Sequence, residues 1–145
     1  MPKKIWVSRN LCVNCRMCEV ACSYAKEGVF GGNVARIRVN RKERGIDRPD
    51  ICRQCLSPPC VSACPENVIT RDKVTGIVSI SEEKCLGCYE CVSACPFGAI
   101  QIEVNTQKII KCDLCVGNPE CVKWCPTGAI RFLDIAALNV MGHAK

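Results

Sequence analysis

Large side chains are scarce in this chain of 145 residues: three phenylalanines, two tryptophans and two tyrosines are its whole aromatic content. A short chain with so few bulky groups buries little apolar area and needs covalent or metal staples to hold a fold. No run approaches the roughly 18 consecutive apolar residues of a membrane-crossing helix, so direct membrane insertion is not expected. Histidine occurs once, at His143, where it reads as a solvent-exposed tail residue rather than a ligand. No nucleophile–base pairing, glycine-rich phosphate loop or paired carboxylates stand out, which points to a non-catalytic chain. The segment from Met1 to Asn10 carries positive charge but no apolar stretch and no small-residue cleavage site, so it does not read as a secretory leader. The expectation is a cytoplasmic protein whose thiols are not paired in disulfides.

What the chain has in excess is cysteine, 16 residues in four groups of four. Cys12, Cys15, Cys18 and Cys22 follow the spacing C-x2-C-x2-C-x3-C, as do Cys85, Cys88, Cys91 and Cys95, the latter with Pro96 behind. Cys52, Cys55, Cys60 and Cys64 follow C-x2-C-x4-C-x3-C with Pro65, and Cys112, Cys115, Cys121 and Cys125 follow C-x2-C-x5-C-x3-C with Pro126. Zinc takes four ligands around one ion, usually two C-x2-C pairs far apart in sequence. Three cysteines crowded into one loop suit a larger body, a cubane with iron at several corners, whose remaining ligand comes from elsewhere in the chain. In the bacterial C-x2-C-x2-C-x3-C-P run the last cysteine ligates the other cluster of a pair. Four such runs, three with the proline, imply four [4Fe–4S] clusters.

An internal repeat supports this. Cys60-Val61-Ser62-Ala63-Cys64-Pro65 recurs letter for letter from Cys91 to Pro96, and more loosely from Cys121 to Pro126. The stretches between motifs read as short strands: 67–71 with 76–80 and 100–104 with 108–111 as hairpins, and 4–7 pairing with 130–133. Val34 to Asn40 alternates apolar and basic residues. Helix is expected as short turns after each Cys-Pro, with no long helix except a weak apolar tail over 133–141. The fold class is therefore α+β, built of short β-hairpins and short helices.

From Leu11 to Ile130 the sixteen cysteines and their spacings resemble the four-cluster, ferredoxin-like electron-transfer subunits of molybdenum and tungsten oxidoreductases. The iron–sulfur subunit of dimethyl sulfoxide reductase is the reference member. Lys111-Cys112-Asp113-Leu114-Cys115 and Cys125-Pro126-Thr127-Gly128-Ala129-Ile130 are particularly similar to that family's last motif. The resemblance implies nested ligation. Cys12, Cys15 and Cys18 would share cluster one with Cys125, and Cys112, Cys115 and Cys121 would share cluster two with Cys22. Cys52, Cys55 and Cys60 would share cluster three with Cys95, and Cys85, Cys88 and Cys91 would share cluster four with Cys64. Sequential pairing, first motif with second and third with fourth, is the alternative. Nested ligation implies two pseudo-symmetric bicluster ferredoxin-like modules, one from 51–107 and one from 1–50 with 108–145. Ser23 in place of the proline after Cys22 departs from the pattern and implies a differently shaped turn.

The formal charge of +6 invites a nucleic-acid reading, but it counts the cysteines as neutral. Each oxidised cluster with its four thiolates contributes about −2, taking the loaded protein to about −2 overall, so no nucleic-acid partner is expected. Arg36, Arg38, Arg41, Lys42, Arg44 and Arg48 still crowd one segment against Glu43 and Asp47. They form either a solvated edge strand or a docking patch for an acidic partner. Asp113 and Lys111, beside Cys112, read as residues that orient the loop, and Trp124 as packing beside a cluster. By resemblance, the partner is a catalytic subunit, a tungsten- or molybdenum-pterin aldehyde oxidoreductase, with a flavin subunit or ferredoxin as second carrier. A free soluble polyferredoxin, or a subunit of a hydrogenase, formate or flavin oxidoreductase system, is the other reading. A permanent subunit should expose an apolar patch, with Val29–Phe30 and 133–141 as candidates.

Overall fold

The computed structural model describes residues 2–40 and 48–140. Along the chain run β1 (Lys3–Val7), α1 (Met17–Glu27), β2 (Arg38–Asn40), β3 (Arg48–Asp50), α2 (Pro59–Ser62), β4 (Ile69–Arg71), β5 (Val78–Ile80), α3 (Glu90–Ala94), β6 (Ile100–Ile102), β7 (Ile109–Lys111), α4 (Glu120–Lys123), β8 (Ile130–Asp134) and α5 (Ile135–Val140). The strands form four two-stranded antiparallel ribbons, β1 with β8, β2 with β3, β4 with β5 and β6 with β7. The small mixed helix-and-strand architecture follows the α+β expectation. The terminal strands pair over the expected residues, antiparallel, with Lys4 opposite Leu133 and Val7 opposite Ile130.

Both central hairpins turn on the same device. In the first, Asp72 Oδ1 accepts from the amides of Val74 (2.9 Å) and Thr75 (2.6 Å) and from the Thr75 hydroxyl. In the second, Glu103 accepts from the amides of Asn105 (3.1 Å) and Thr106 (2.9 Å) and from the Thr106 hydroxyl. These bonds hold both carboxyls below the usual carboxylate range, the Thr75 amide first for Asp72 and the Thr106 hydroxyl first for Glu103. The turns take residues from the expected strands, so the ladders shrink to three residues on each side.

Helix placement differs from expectation. The short helices α2, α3 and α4 begin at or just before the third cysteine of their motifs and end before the Cys-Pro, not after it. Proline lacks an amide donor and disfavours helical backbone in the residue before it, so each Cys-Pro is a stop. The chain then makes a tight turn in which the amides of Asn67, Gly98 and Gly128 each donate at 3.3 Å to the carbonyl of the preceding Cys64, Cys95 or Cys125. All three have positive φ, 52°, 58° and 64°, which glycine and asparagine adopt most readily. The first motif has Ser23 where the others have proline, so no stop exists. Helix α1 runs on for 11 residues, past Cys22 to Glu27, and ends at Gly28 in the left-handed conformation, with the Gly28 amide on the Tyr24 carbonyl at 2.9 Å.

Helix α1 buries Glu19 and Ser23 along with its cysteines. Glu19 Oε1 accepts from the Val39 amide at 2.7 Å, and Ser23 Oγ from the Gly31 amide at 3.3 Å, tying the helix to β2 and its approach. Helix α1 packs on α4, and α2 on α3. The buried apolar groups form two clusters. One joins Cys18, Cys22, Ile37, Ile51, Cys112, Leu114, Cys121 and Ile130. The other joins Cys60, Val68, Ile69, Val78, Cys91, Ile100 and Ile109.

The basic segment is not one exposed face. Arg36 is buried; its guanidinium donates to the Val34 carbonyl at 2.8 Å and pairs with Glu27. Arg38 donates to the Asn33 carbonyl at 2.7 Å. Arg41, Lys42, Glu43, Arg44 and Asp47 lie outside the described residues, as do Met141 and His143. Of the two apolar candidates, Phe30 is 71% exposed and stacks on Tyr24, with ring centroids 4.9 Å apart. The tail instead forms α5, which packs on β1 and β8.

Candidate metal centre

Each motif carries a left-handed residue between its first two cysteines, and the fourth continues that conformation through Cys115 and Val116. The residue before the second cysteine has positive φ in all four: Asn14 (59°), Gln54 (48°), Gly87 (71°) and Leu114 (58°). Asparagine tolerates this conformation, but glutamine and leucine in it are strained, the kind of cost found where backbone shape serves a site. Residues on either side of a left-handed position turn their amides to one side, which suits an anionic body. Arg16 and Tyr89, each just after the second cysteine, share the conformation, at 59° and 61°.

The third cysteines, Cys18, Cys60, Cys91 and Cys121, are all buried, as are Cys22 and Cys112. Cys15 and Cys88 are exposed, and the other eight are partly buried. Burial pushes the Cys18 thiol up to about 12, with Glu19, Cys15 and Cys12 adding to the rise. Burial likewise pushes Cys112 up to about 12, opposed by the Leu114 amide and the Lys111 charge and reinforced by Cys52 and Cys22. Cys121 is raised further, first by burial and then by Cys112, Cys22, Cys115 and Cys18. Cys60 is raised by burial, with Cys52 and Cys95 adding, and Cys91 by burial, with Cys85, Cys88 and Cys60 adding. Sulfurs set this way do not ionise as free thiols; a metal at the sulfur displaces the proton outright.

Two cavities are each walled by four thiols. One is lined by Cys64, Cys85, Cys88 and Cys91 among apolar side chains such as Val68, Ile69 and Ile109. The other is lined by Cys22, Cys112, Cys115 and Cys121. Cys125 packs on the core that contains Cys18. Burial raises Cys125, but the amides of Ile130, Ala129 and Thr127 and the Thr127 hydroxyl bring it below its ordinary value. Among the described residues no three His, Cys, Asp or Glu side chains converge closely enough to hold a single metal ion. Four thiols ringing one space, three of them from a single motif, fit a multi-iron body.

Amides also reach the sulfurs. The Arg36 amide lies 3.2 Å from Cys22 Sγ, that of Leu114 3.4 Å from Cys112 Sγ, and that of Ala99 3.5 Å from Cys95 Sγ. Asp113 does orient its loop: Oδ1 accepts from the Cys115 amide at 3.0 Å, while Lys26 of α1 lies 2.6 Å from the same carboxylate oxygen. Trp124 is 41% exposed at the end of α4. Nothing in local patterning distinguishes the buried Gln54, or the inward course of Lys111, from solvated neighbours.

Residues 46–135 match the family model for a 4Fe-4S dicluster domain, and residues 9–25 match a 4Fe-4S binding domain. The chain belongs to the 4Fe-4S dicluster family. With sixteen cysteines in four motifs, it carries four [4Fe–4S] clusters. It is 43% identical over 116 residues to the polyferredoxin-like subunit of an aliphatic sulfonate oxidoreductase of Pyrococcus furiosus, covering 79% of this chain and 67% of that one. It is 38% identical over 112 residues to the electron transport protein HydN of Escherichia coli strain K12, covering 72% and 62%. The chain thus spans about two thirds of the length of these relatives. The fold is similar to that of a chain in the active-site complex BamBC of benzoyl coenzyme A reductase, with a TM-score of 0.52 and 23% identity over 96% of this chain and 86% of that one. Among the described residues no helix is long and apolar enough to cross a membrane.

Proposed function

We propose that this chain is a non-catalytic, cytoplasmic electron-transfer subunit that links a catalytic oxidoreductase subunit to a second redox carrier. Its ligand sets are nested: Cys12, Cys15, Cys18 and Cys125 for cluster one; Cys22, Cys112, Cys115 and Cys121 for cluster two; Cys52, Cys55, Cys60 and Cys95 for cluster three; and Cys64, Cys85, Cys88 and Cys91 for cluster four. Residues 51–107 then make one module, and 1–50 with 108–145 the other. Support comes from the two four-thiol cavities, which match the nested sets and not the sequential ones. The packing of α1 on α4 and α2 on α3, and the two apolar clusters, favour the same division, although Ile51, Cys52 and Ile77 side with the first core.

The observation that carries the wire is how the cysteines share the two cores. Cys18 of set one packs with Cys22, Cys112 and Cys121 of set two, and Cys52 of set three packs against them. Cys60 of set three lies in the other core with Cys91 of set four, so set three bridges the cores and the order runs one, two, three, four. Bound clusters supply one-electron redox chemistry; the chain's own residues fix their order and exclude water from the inner sulfurs. The exposed cysteines Cys15 and Cys88 belong to the two ends, beside Val13 and Leu86, 63% and 75% exposed. Exposed aliphatic groups at both ends suit contact with a partner at each.

The catalytic partner in this reading is a tungsten- or molybdenum-pterin oxidoreductase of the aldehyde oxidoreductase type, a choice that rests on the family resemblance. A relative named as a subunit of an aliphatic sulfonate oxidoreductase supports a catalytic partner of some kind. The test is anaerobic isolation of the chain from its native host with whatever accompanies it, followed by iron, tungsten, molybdenum and nickel analysis. Stoichiometric tungsten or molybdenum on a co-purifying chain is the expected result. Nickel instead would point to a hydrogenase system, and a lone iron-loaded chain to a free polyferredoxin.

A further inference from the structure

Lys111 ends β7 next to Cys112, yet its side chain turns inward and is only 6% exposed. Its Nζ donates to the carbonyl of Val78 and, at 2.9 Å, to that of Cys112. Val78 belongs to the core that contains Cys60, whereas Cys112 belongs to the other core. Lys111 therefore stands at the seam between the two. Gln54, 2% exposed, spans the same seam, donating to the Cys112 carbonyl at 2.9 Å and accepting from the Val78 amide at 2.7 Å.

The neutral Gln54 already ties the same two backbone units together, so a tether alone does not account for a second residue that carries charge. Among the described residues no carboxylate forms an ion pair with Lys111. A buried ammonium facing only neutral carbonyls is strongly disfavoured unless an anion lies close by. Its two carbonyl partners sit in the cores of Cys112 and Cys60, one thiol from each. Cluster-bound thiolates at those positions are the anion that the ammonium lacks.

We propose that Lys111 is a positioning charge shared by the two central clusters, a buried cation that offsets their negative charge and raises the reduction potential of both. This rests on the reading in which Cys60 and Cys112 serve different clusters, three and two. Adding an electron makes a cluster more negative, so a nearby fixed cation favours the reduced form. Lys111 donates to the backbone of no cysteine in the two outer sets, so the outer clusters should keep their potentials.

The test uses the full iron-loaded chain carrying Lys111→Met, Lys111→Gln or Lys111→Arg, with each potential followed by electron paramagnetic resonance during redox titration. In the Met and Gln variants two of the four clusters should become harder to reduce by about tenfold in equilibrium constant, about 59 mV for one electron. The other two should not move, and Lys111→Arg should restore the native values. A fully loaded Met variant that titrates like the native chain, or four clusters shifting together, overturns the proposal. If Met and Gln variants fail to retain iron while Arg retains it, the charge requirement stands; failure of Arg as well makes the role one of packing and overturns it. A native chain with fewer than four clusters, or Cys60→Ser and Cys112→Ser removing the same cluster, would instead overturn the ligand reading.

Discussion

Lys26, near the end of helix α1, places its ammonium 2.6 Å from the carboxylate of Asp113, 87 residues away in the fourth cysteine motif. The contact locks the first motif to the last. Both side chains are partly buried, and Asp113 also holds the Cys115 amide at 3.0 Å. Burial alone would raise the Asp113 carboxyl, but the hydrogen bond and charge of Lys26 bring it below its ordinary value. Asp113→Ala leaves the Cys115 amide without its acceptor, with an expected cost of about 1–3 kcal/mol; Lys26→Met should cost less. Iron release to a chelator, followed for both single variants and the double variant, measures the effect. Coupling between the two sites is the expected outcome, and strict additivity would argue against the lock.

Removal of iron should unfold the chain. With a thin core and eleven cysteines in or against the two apolar clusters, the metal supplies the folding free energy that side-chain packing does not. Far-ultraviolet circular dichroism of the chelator-treated chain should show a loss of ordered signal. A cooperative thermal melt of the iron-free chain would contradict this.

Ligand pairing is open to direct test. Cys64→Ser and Cys85→Ser should perturb the same cluster, and Cys22→Ser and Cys112→Ser a different common one. Electron paramagnetic resonance of each variant identifies the affected centre. Sequential pairing would instead couple Cys64 with Cys12 and Cys22 with Cys52.

The turns after Cys95 and Cys125 depend on left-handed backbone. An added Cβ at Gly98 or Gly128 would meet nothing within 4 Å, so Gly→Ala there is a test of conformation without steric clash. Each substitution should cost about 1–2 kcal/mol, seen as faster iron loss on heating. Asn67→Gly, at the equivalent position with φ 52°, should be neutral or mildly stabilising.

Much of this was legible in the residues. The short stretches between cysteine motifs marked the hairpins, and the segments 4–7 and 130–133 the terminal pair, because strand and turn chemistry are local. The cysteine groups announced the clusters for the same reason. Helix α1 was not anticipated, since its cause is an absence: Ser23 removes the stop that Pro65, Pro96 and Pro126 impose, and only comparison with them reveals the consequence. The short helices lie on the other side of each Cys-Pro because the proline acts on the residue before it. Lys111 is marked in the sequence only as a loop-orienting neighbour of Cys112, and Gln54 not at all, since burial at the meeting of two hairpins depends on contacts 24 to 58 residues apart.

The most direct measurement is iron per polypeptide together with the Mössbauer spectrum of the anaerobically isolated, iron-57-enriched chain. Four clusters require about sixteen irons, all in the spectrum of [4Fe–4S] centres. About eight irons, or zinc in their place, would contradict a four-cluster protein at its foundation.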